Sequence, residues 1–186
     1  MDPETERRLV GRLKGGDESA FDLVYETYRR PLFAFLYRLT RNRDAAEDAL
    51  EETWLRLVGR IDTLRDEAQL GSWLFAVARN LAFDFLRARA FDGETVGNSD
   101  LAGSLADTRP SPYDTAAAHE LDRRLERGLL ALPPSLREVL LLVGVHGMSP
   151  SDAAVVCNVR ADALRQRLHR ARDMLARWLE EQDRAG

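Results

Sequence analysis

Cysteine is almost missing from this chain: Cys157 is the only one in 186 residues. That excludes an internal disulfide and any metal site built on cysteines. Cys157 lies in the apolar run AAVVCNV and is expected to be a small buried hydrophobe. Histidine is scarce as well. His119, His146 and His169 are scattered, with no ligand or catalytic spacing. No metal and no cofactor is therefore expected. No apolar run approaches a membrane span, and the opening MDPETERRLV has no signal-peptide core. A cytoplasmic protein without membrane insertion is expected. Lysine is nearly absent too, since Lys14 stands alone among the cations. Arginine carries the rest, and its planar fork serves phosphate and base contacts well.

The net charge of −4 does not advertise a nucleic-acid binder. Its distribution says more. Met1–Ala90 holds 15 basic and 16 acidic residues, and His119–Gly186 holds 11 and 10. Between them, Phe91–Ala118 has 1 basic and 5 acidic residues. Within Arg160–Arg177 six arginines face only Asp162 and Asp173. Any DNA contact should therefore be local and assisted by a partner.

The stretch Ser72–Arg89, SWLFAVARNLAFDFLRAR, reads as one helix. Leu74, Val77, Ala78, Leu81, Phe85 and Ala88 recur at helical spacing and predict the buried stripe. The opposite side carries Arg79, Asn80, Phe83 and Arg87, with Trp73 beside them. An exposed ring among guanidinium groups suits unpaired nucleic acid, because arginine tracks phosphates while the ring stacks on a base. The plainer alternative places Phe83 beneath a neighbouring helix and leaves the arginines solvated.

Upstream, a short helix over Thr5–Lys14 should stop at Gly15-Gly16, and Asp17 should cap the next. Pro31 falls inside that helix and is expected to kink or split it. Asp44 with Glu47 resembles a capping box for a third helix. Its outward side sets Glu47 four residues before Glu51 and Asp48 four before Glu52, with only Glu52–Arg56 as an offsetting pair. Like charges at this spacing disfavour a helix by a few tenths of a kcal/mol, roughly, per pair. A basic partner surface would explain the cluster; the helix N-terminus alone would explain Glu47 and Asp48 but not Glu51 and Glu52. Gly59–Gly71 is long for a helical connection, which invites a functional reading.

Phe91–Ala118 loses all periodicity and reads as a flexible acidic linker. Beyond it, a helix from near Thr115 to Ala131 carries Leu121, Leu125 and Leu129, with Leu132 following. Ser135 and Glu138 look like a second capping box, and Ser149-Pro150 with Asp152 like a third. A short helix Pro150–Cys157, a turn at Asn158-Val159 and a longer helix from Ala161 form a helix-turn-helix pattern. Leu164, Leu168, Ala171, Leu175 and Trp178 make its inner stripe. Asp162, Arg165, Gln166, His169, Arg170 and Arg172 lie opposite or beside it, as in a helix that reads base edges with arginine and glutamine. The fold expected is all-α: two small helical domains, residues 1–90 and 119–186, joined by the linker 91–118, the second with a helix-turn-helix.

In order along the chain, AFDLVYETYRRPLFAFLYRLTRN, DAAEDALEETWLRLV, SWLFAVARNLAFDFLRAR and LPPSLREVLLLVGVHGMSPSDAAVVCNVRADALRQRLHRAR resemble successive segments of bacterial sigma factors. The resemblance is to the sigma-70 family, extracytoplasmic-function (ECF) group. It implies a transcription initiation factor, not an enzyme. It implies docking on core RNA polymerase by Glu47, Asp48, Glu51, Glu52, Leu55 and Arg56. The −10 strand, once melted, would meet Ile61, Asp62, Leu64 and Arg65 in the loop, where a flipped base is held, and Trp73, Arg79, Asn80, Phe83 and Arg87 on the helix. The duplex −35 element would meet Arg160, Asp162, Arg165, Gln166, Arg167, His169, Arg170 and Arg172. An anti-sigma factor is the implied regulator, and a monomer is expected when the chain is free. Two departures stand out. Glu51 replaces a frequent glutamine, and Asp162-Ala163 replaces a common glycine-threonine, so promoter preference does not carry over from relatives.

Two rivals belong to other classes. A sigma-like decoy or helix-turn-helix regulator, binding DNA or a partner without initiating transcription, predicts a degraded −10 face, and here that face is complete. A helical enzyme needs converging catalytic groups, and the sequence offers none.

Overall fold

The computed structural model describes residues 3–64, 69–91 and 116–185. Every regular element among them is helical. The chain divides into two compact units, and the helices fall into two groups of four.

In the first group α1 spans Pro3–Lys14, α2 Glu18–Thr40, α3 Arg43–Arg60 and α4 Leu70–Phe91, with a 3-10 turn at Ile61–Thr63. Gly16 takes a φ of +74°, a left-handed conformation that turns the chain between α1 and α2 at no Cβ cost. Asp17 caps α2 as expected: its Oδ1 accepts from the N–H groups of Ser19 (3.0 Å) and Ala20 (3.3 Å). Arg12 of α1 donates to Asp17 Oδ2 at 2.8 Å, which ties the two helices at their junction.

Pro31 does not split α2, which runs unbroken from Glu18 to Thr40. Proline removes one backbone donor, but Ala20 and Val24 before it and Leu32, Phe35, Leu36 and Leu39 after it are all buried. Packing on both sides outweighs the local cost, as tertiary context often overrides propensity. The third helix also starts differently from the expectation. Asn42, not Asp44, is its N-cap, accepting from Ala45 N–H at 2.8 Å, and Glu47 pairs with Arg43 instead of closing a box.

Helices α2, α3 and α4 pack on one another, and α1 lies against α2, α4 and the 3-10 turn. Phe35 of α2 meets Phe75 of α4 edge-to-face at 5.4 Å between ring centres. The buried stripe of α4 is Leu70, Gly71, Leu74, Phe75, Ala78 and Ala82. Only Leu74 and Ala78 were expected there. Val77, Leu81 and Phe85 are half-buried and Ala88 is exposed, so the helix is rotated toward Phe75 and Ala82.

In the second group α5 spans Ala116–Ala131, α6 Pro134–Leu140, α7 Pro150–Val156 and α8 Ala161–Ala185; a π-helical turn at Leu141–Val145 extends α6. The linker expected at 91–118 lies almost wholly outside the described residues. Leu129 and Leu132 are buried as the periodicity of α5 implies, but Leu121 is 52% exposed. Ser135 and Glu138 do not form a cap. Pro134 opens α6, Pro133 at the N-cap makes no side-chain bond, and Glu138 is fully buried. Beside it Arg137, 3% exposed, donates to the carbonyls of Leu129, Leu130 and Leu132 at 2.8–3.0 Å. They lie at and just past the end of α5, where a helix runs short of intrahelical donors, and the Leu129 carbonyl also accepts from Leu132 N–H at 3.2 Å.

Ser149 does cap α7, donating to Asp152 Oδ2 at 2.6 Å and accepting from Asp152 N–H at 3.1 Å. Asn158, at φ +51°, makes the left-handed turn into α8. Leu164, Leu168 and Ala171 are buried, and so is Cys157. Leu175 and Trp178 reach α5 at Gly128, where an added Cβ would lie 2.6 Å from Leu175 Cδ1. That glycine is a packing requirement, not a flexible point.

Candidate partner and nucleic-acid interfaces

Helix α3 builds an outward face of mixed character. Asp48, Glu51, Glu52 and Leu55 follow the i, i+3, i+4, i+7 pattern of one helix side. Glu47 is held by Arg43 at 2.8 Å and half-exposed Glu52 by Arg56 at 2.8 Å. No hydrogen bond or ion pair engages Asp48 or Glu51 among the described residues. The acidity is therefore only half offset within the helix.

Leu55 and Val58 on this side are each 61% exposed. They border a pocket of about 370 Å³ lined also by Phe21, Tyr25, Leu50 and Trp54, with Glu47 and Glu51 in the same wall. Tyr25 and Trp54 lie 5.0 Å apart between ring centres, and the buried indole N–H of Trp54 has no acceptor among the described residues. The sequence reading placed the acids and missed this aromatic wall. Its one signal was Leu55 followed by Val58 on a side that otherwise reads as polar.

After α3, Ile61 is half-buried and Asp62 exposed, but Leu64 is only 5% exposed. Leu64 belongs to the core of this unit and offers no face to a base in this conformation. Arg65 lies outside the described residues.

Helix α4 then presents its second side. The Arg79 guanidinium lies over the Phe83 ring, 4.5 Å from its centre, and Arg79 also donates to Asn80 Oδ1 at 3.3 Å. One turn on, Arg87 pairs with Asp84. Asn80 and Arg87 are exposed; Trp73, Arg79 and Phe83 are partly so. Phe83 is thus not swallowed beneath a neighbouring helix. It forms a cation–ring surface with Arg79, a pairing that favours both stacking and phosphate contact.

Helix α8 is organised differently. Arg160 precedes it, and its carbonyl accepts from Leu164 N–H at 3.0 Å. Asp162, Arg165, Gln166, His169, Arg170 and Arg172 are all exposed. Arg165 pairs with Asp162 at 2.5 Å and His169 with Asp173 at 3.0 Å. Arg170 donates to the Gln166 carbonyl at 3.5 Å. Arg167 does not share this openness: it turns toward the buried carboxyl of Glu138 of α6, 3.6 Å away. It acts as a strut between α6 and α8 in this conformation.

Models of sigma-70 region 2 and sigma-70 region 4 match residues 24–91 and 122–175. The chain is 36% identical to the ECF RNA polymerase sigma factor EcfG of Rhodopseudomonas palustris (strain TIE-1), over 80% of this chain and 78% of that protein. The chain belongs to the sigma-70 family, ECF group. This family consists of transcription initiation factors, not enzymes. A second ECF sigma factor, SigW of Bacillus subtilis (strain 168), is 25% identical over 94% of this chain and 97% of its own. Among solved structures, the sigma factor RpoE bound to the anti-sigma factor NepR, from Bartonella quintana, matches with a TM-score of 0.69 and 25% identity. That match covers 86% of this chain and 96% of that one. The region 2 match takes in α3, the loop and α4, and the region 4 match takes in α6 through most of α8. No helix among the described residues is long and apolar enough to cross a membrane, and no cluster of groups there could hold a metal ion.

Proposed function

We propose that this sigma factor docks on core RNA polymerase through the α3 face, reads the melted −10 strand with the loop and α4, and reads the duplex −35 element with α8. The observation that carries this reading is the contrast within one unit: α3 shows acid and exposed leucine and valine, while α4 shows arginine on an aromatic ring. The first complements a basic protein surface with an apolar centre. The second complements an unpaired, negatively charged strand. Asp48 and Glu51, free of intramolecular partners among the described residues, hold the charge available to a partner.

Initiation follows as a division of labour. Docking brings α4 beside the duplex that polymerase opens, and a flipped base gains a stacking partner at Phe83. Binding to the open strand then stabilises the melted state by mass action. An anti-sigma protein is the regulator this reading carries, because a structural relative was solved in complex with one. The free chain acts as a monomer, in the cytoplasm.

Run-off transcription with core polymerase on promoters from the protein's own genome tests the proposal. The chain should direct specific initiation. Reversing Asp48 and Glu52 to arginine should abolish core-polymerase capture and transcription while leaving helicity and Tm nearly unchanged. Initiation that survives this reversal would contradict the docking assignment.

A further inference from the structure

Helix α1 carries a buried polar contact that docking and DNA reading leave unexplained. Glu6 is 9% exposed although it sits on a short amphipathic helix at the chain's start. Its Oε1 accepts from the Tyr28 hydroxyl at 2.7 Å and from Gly71 N–H at 3.3 Å. Gly71 is the second residue of α4, so this N–H is one of the donors that a helix start leaves without a partner. The contact spans 65 positions of sequence and fixes the amino end of α4 to α1. Burial, and then the hydrogen bond to Glu6, hold the Tyr28 phenol above its ordinary titration range.

The site is built closely. A Cβ at Gly71 would lie 2.9 Å from the Tyr28 hydroxyl oxygen and 3.3 Å from Glu6 Oε1. The glycine is thus required for the close approach, not for an unusual backbone angle. Helix α1 also packs on the 3-10 turn Ile61–Thr63. The two ends of the loop between α3 and α4 are therefore both held by α1, one at the turn and one at Gly71.

We infer that Glu6 is a positioning residue for recognition of the separated strand: with Tyr28 it sets the placement of α4's first turns, which carry Trp73, against the turn Ile61–Thr63. This rests on the reading of the loop and α4 as the strand-binding surface. Glu6 lies on a different helix from every residue assigned to that surface. Its effect is on which base is preferred, because a misplaced pocket loses discrimination before it loses general attraction to phosphate.

The test uses holoenzyme assembled from core polymerase and the full chain. The probe is fork-junction DNA with a randomised single-stranded segment, so that no promoter sequence is presupposed. Base enrichment at each position is read below the melting range of every variant, alongside core-polymerase affinity. Glu6→Ala should lower discrimination at the positions facing the turn Ile61–Thr63 and Trp73 by about tenfold, the scale of one well-made base contact. Core affinity should stay at the wild-type level. Glu6→Gln keeps an oxygen that accepts from both donors and should restore the wild-type preference. Gly71→Ala displaces the same contacts from the other side and should reproduce the Glu6→Ala profile; it carries the test if Glu6→Ala does not fold. Unchanged enrichment ratios, or losses in docking and strand binding that run in parallel, would overturn the inference. A wild-type holoenzyme with no base preference on the probe would overturn it together with the reading on which it rests. Preference in the wild type that persists in Glu6→Ala would overturn the inference alone.

Discussion

Helices α4 and α8 both line arginines along one side, yet they dispose of the charge in different ways. On α4 the guanidinium of Arg79 rests on the ring of Phe83, and only Arg87 pairs with a carboxyl of the same helix, that of Asp84, among the described residues. On α8 two arginines are matched to carboxyls, Arg165 to Asp162 and Arg167 to buried Glu138, and the His169 ring lies 3.0 Å from Asp173. The face of α8 has no phenylalanine, tyrosine or tryptophan, and Trp178 turns toward α5 at Gly128. The difference is chemical. A ring set among cations suits a base that has left the duplex. Cations held by exposed acids can be exchanged for base edges at small cost, because an exposed ion pair contributes little.

The largest break in this comparison removes one helix's support and spares the other. Arg137 donates to three carbonyls at the end of α5 from a buried position. Arg137→Ala should destabilise the second unit by about 3 kcal/mol, since buried acceptors lose charged donors. Amide hydrogen exchange should accelerate across α5–α8 and remain unchanged across α1–α4. Equal acceleration in both units would show that they do not fold independently.

The next effect sharpens the assignment of α8. Arg165→Ala should weaken −35 binding by about 1–3 kcal/mol and relax preference at one base pair, if the side chain reads a base. Should it hold only phosphate, binding would fall across all sequences and the salt slope would drop by about one. Titrating duplex binding at several salt concentrations separates the two.

How far these regions were legible in the sequence follows from what each residue answers to. Ser149–Asp152 and Asp17 are local caps, set by neighbours within a few residues, and both stand where the sequence places them. The short helix, turn and longer helix around Asn158 are also a local pattern, and α7 and α8 match it. Glu138 has the spacing of a cap and is instead a buried partner of Arg167, a contact between α6 and α8 that spacing cannot reveal. Leu64 reads as loop but fills a core. The rotation of α4 toward Phe75 was hidden for a related reason: with Phe75, Val77, Leu81, Phe83 and Phe85 all on one helix, periodicity permits more than one inner face, and only Phe35 on α2 selects it. Half of the α3 face was likewise invisible, because its aromatic wall borrows Phe21 and Tyr25 from another helix.

The smallest effect concerns the joint that carries α2. Asp17 is held at about 2, below its ordinary 3.8, chiefly by the hydrogen bond from Arg12 and then by Ser19. A depressed carboxyl contributes stability that is complete above the unfolded value and lost as pH falls through the folded one. NMR titration of the Asp17 carboxyl should therefore give a midpoint near 2, and protection of Ala20 N–H should persist at pH 3. A midpoint near 3.8 would mean that the Arg12 contact does not hold in solution.

The most direct measurement of the division between α4 and α8 is transcription by reconstituted holoenzyme on matched duplex and pre-melted templates. The Phe83→Ala/Asn80→Ala variant should keep its −35 affinity and open duplex promoters poorly, and pre-melting should rescue it. The Arg165→Ala variant should retain its −35 defect on either template. Rescue of both variants, or of neither, would contradict the assignment of the open strand to α4 and the duplex to α8.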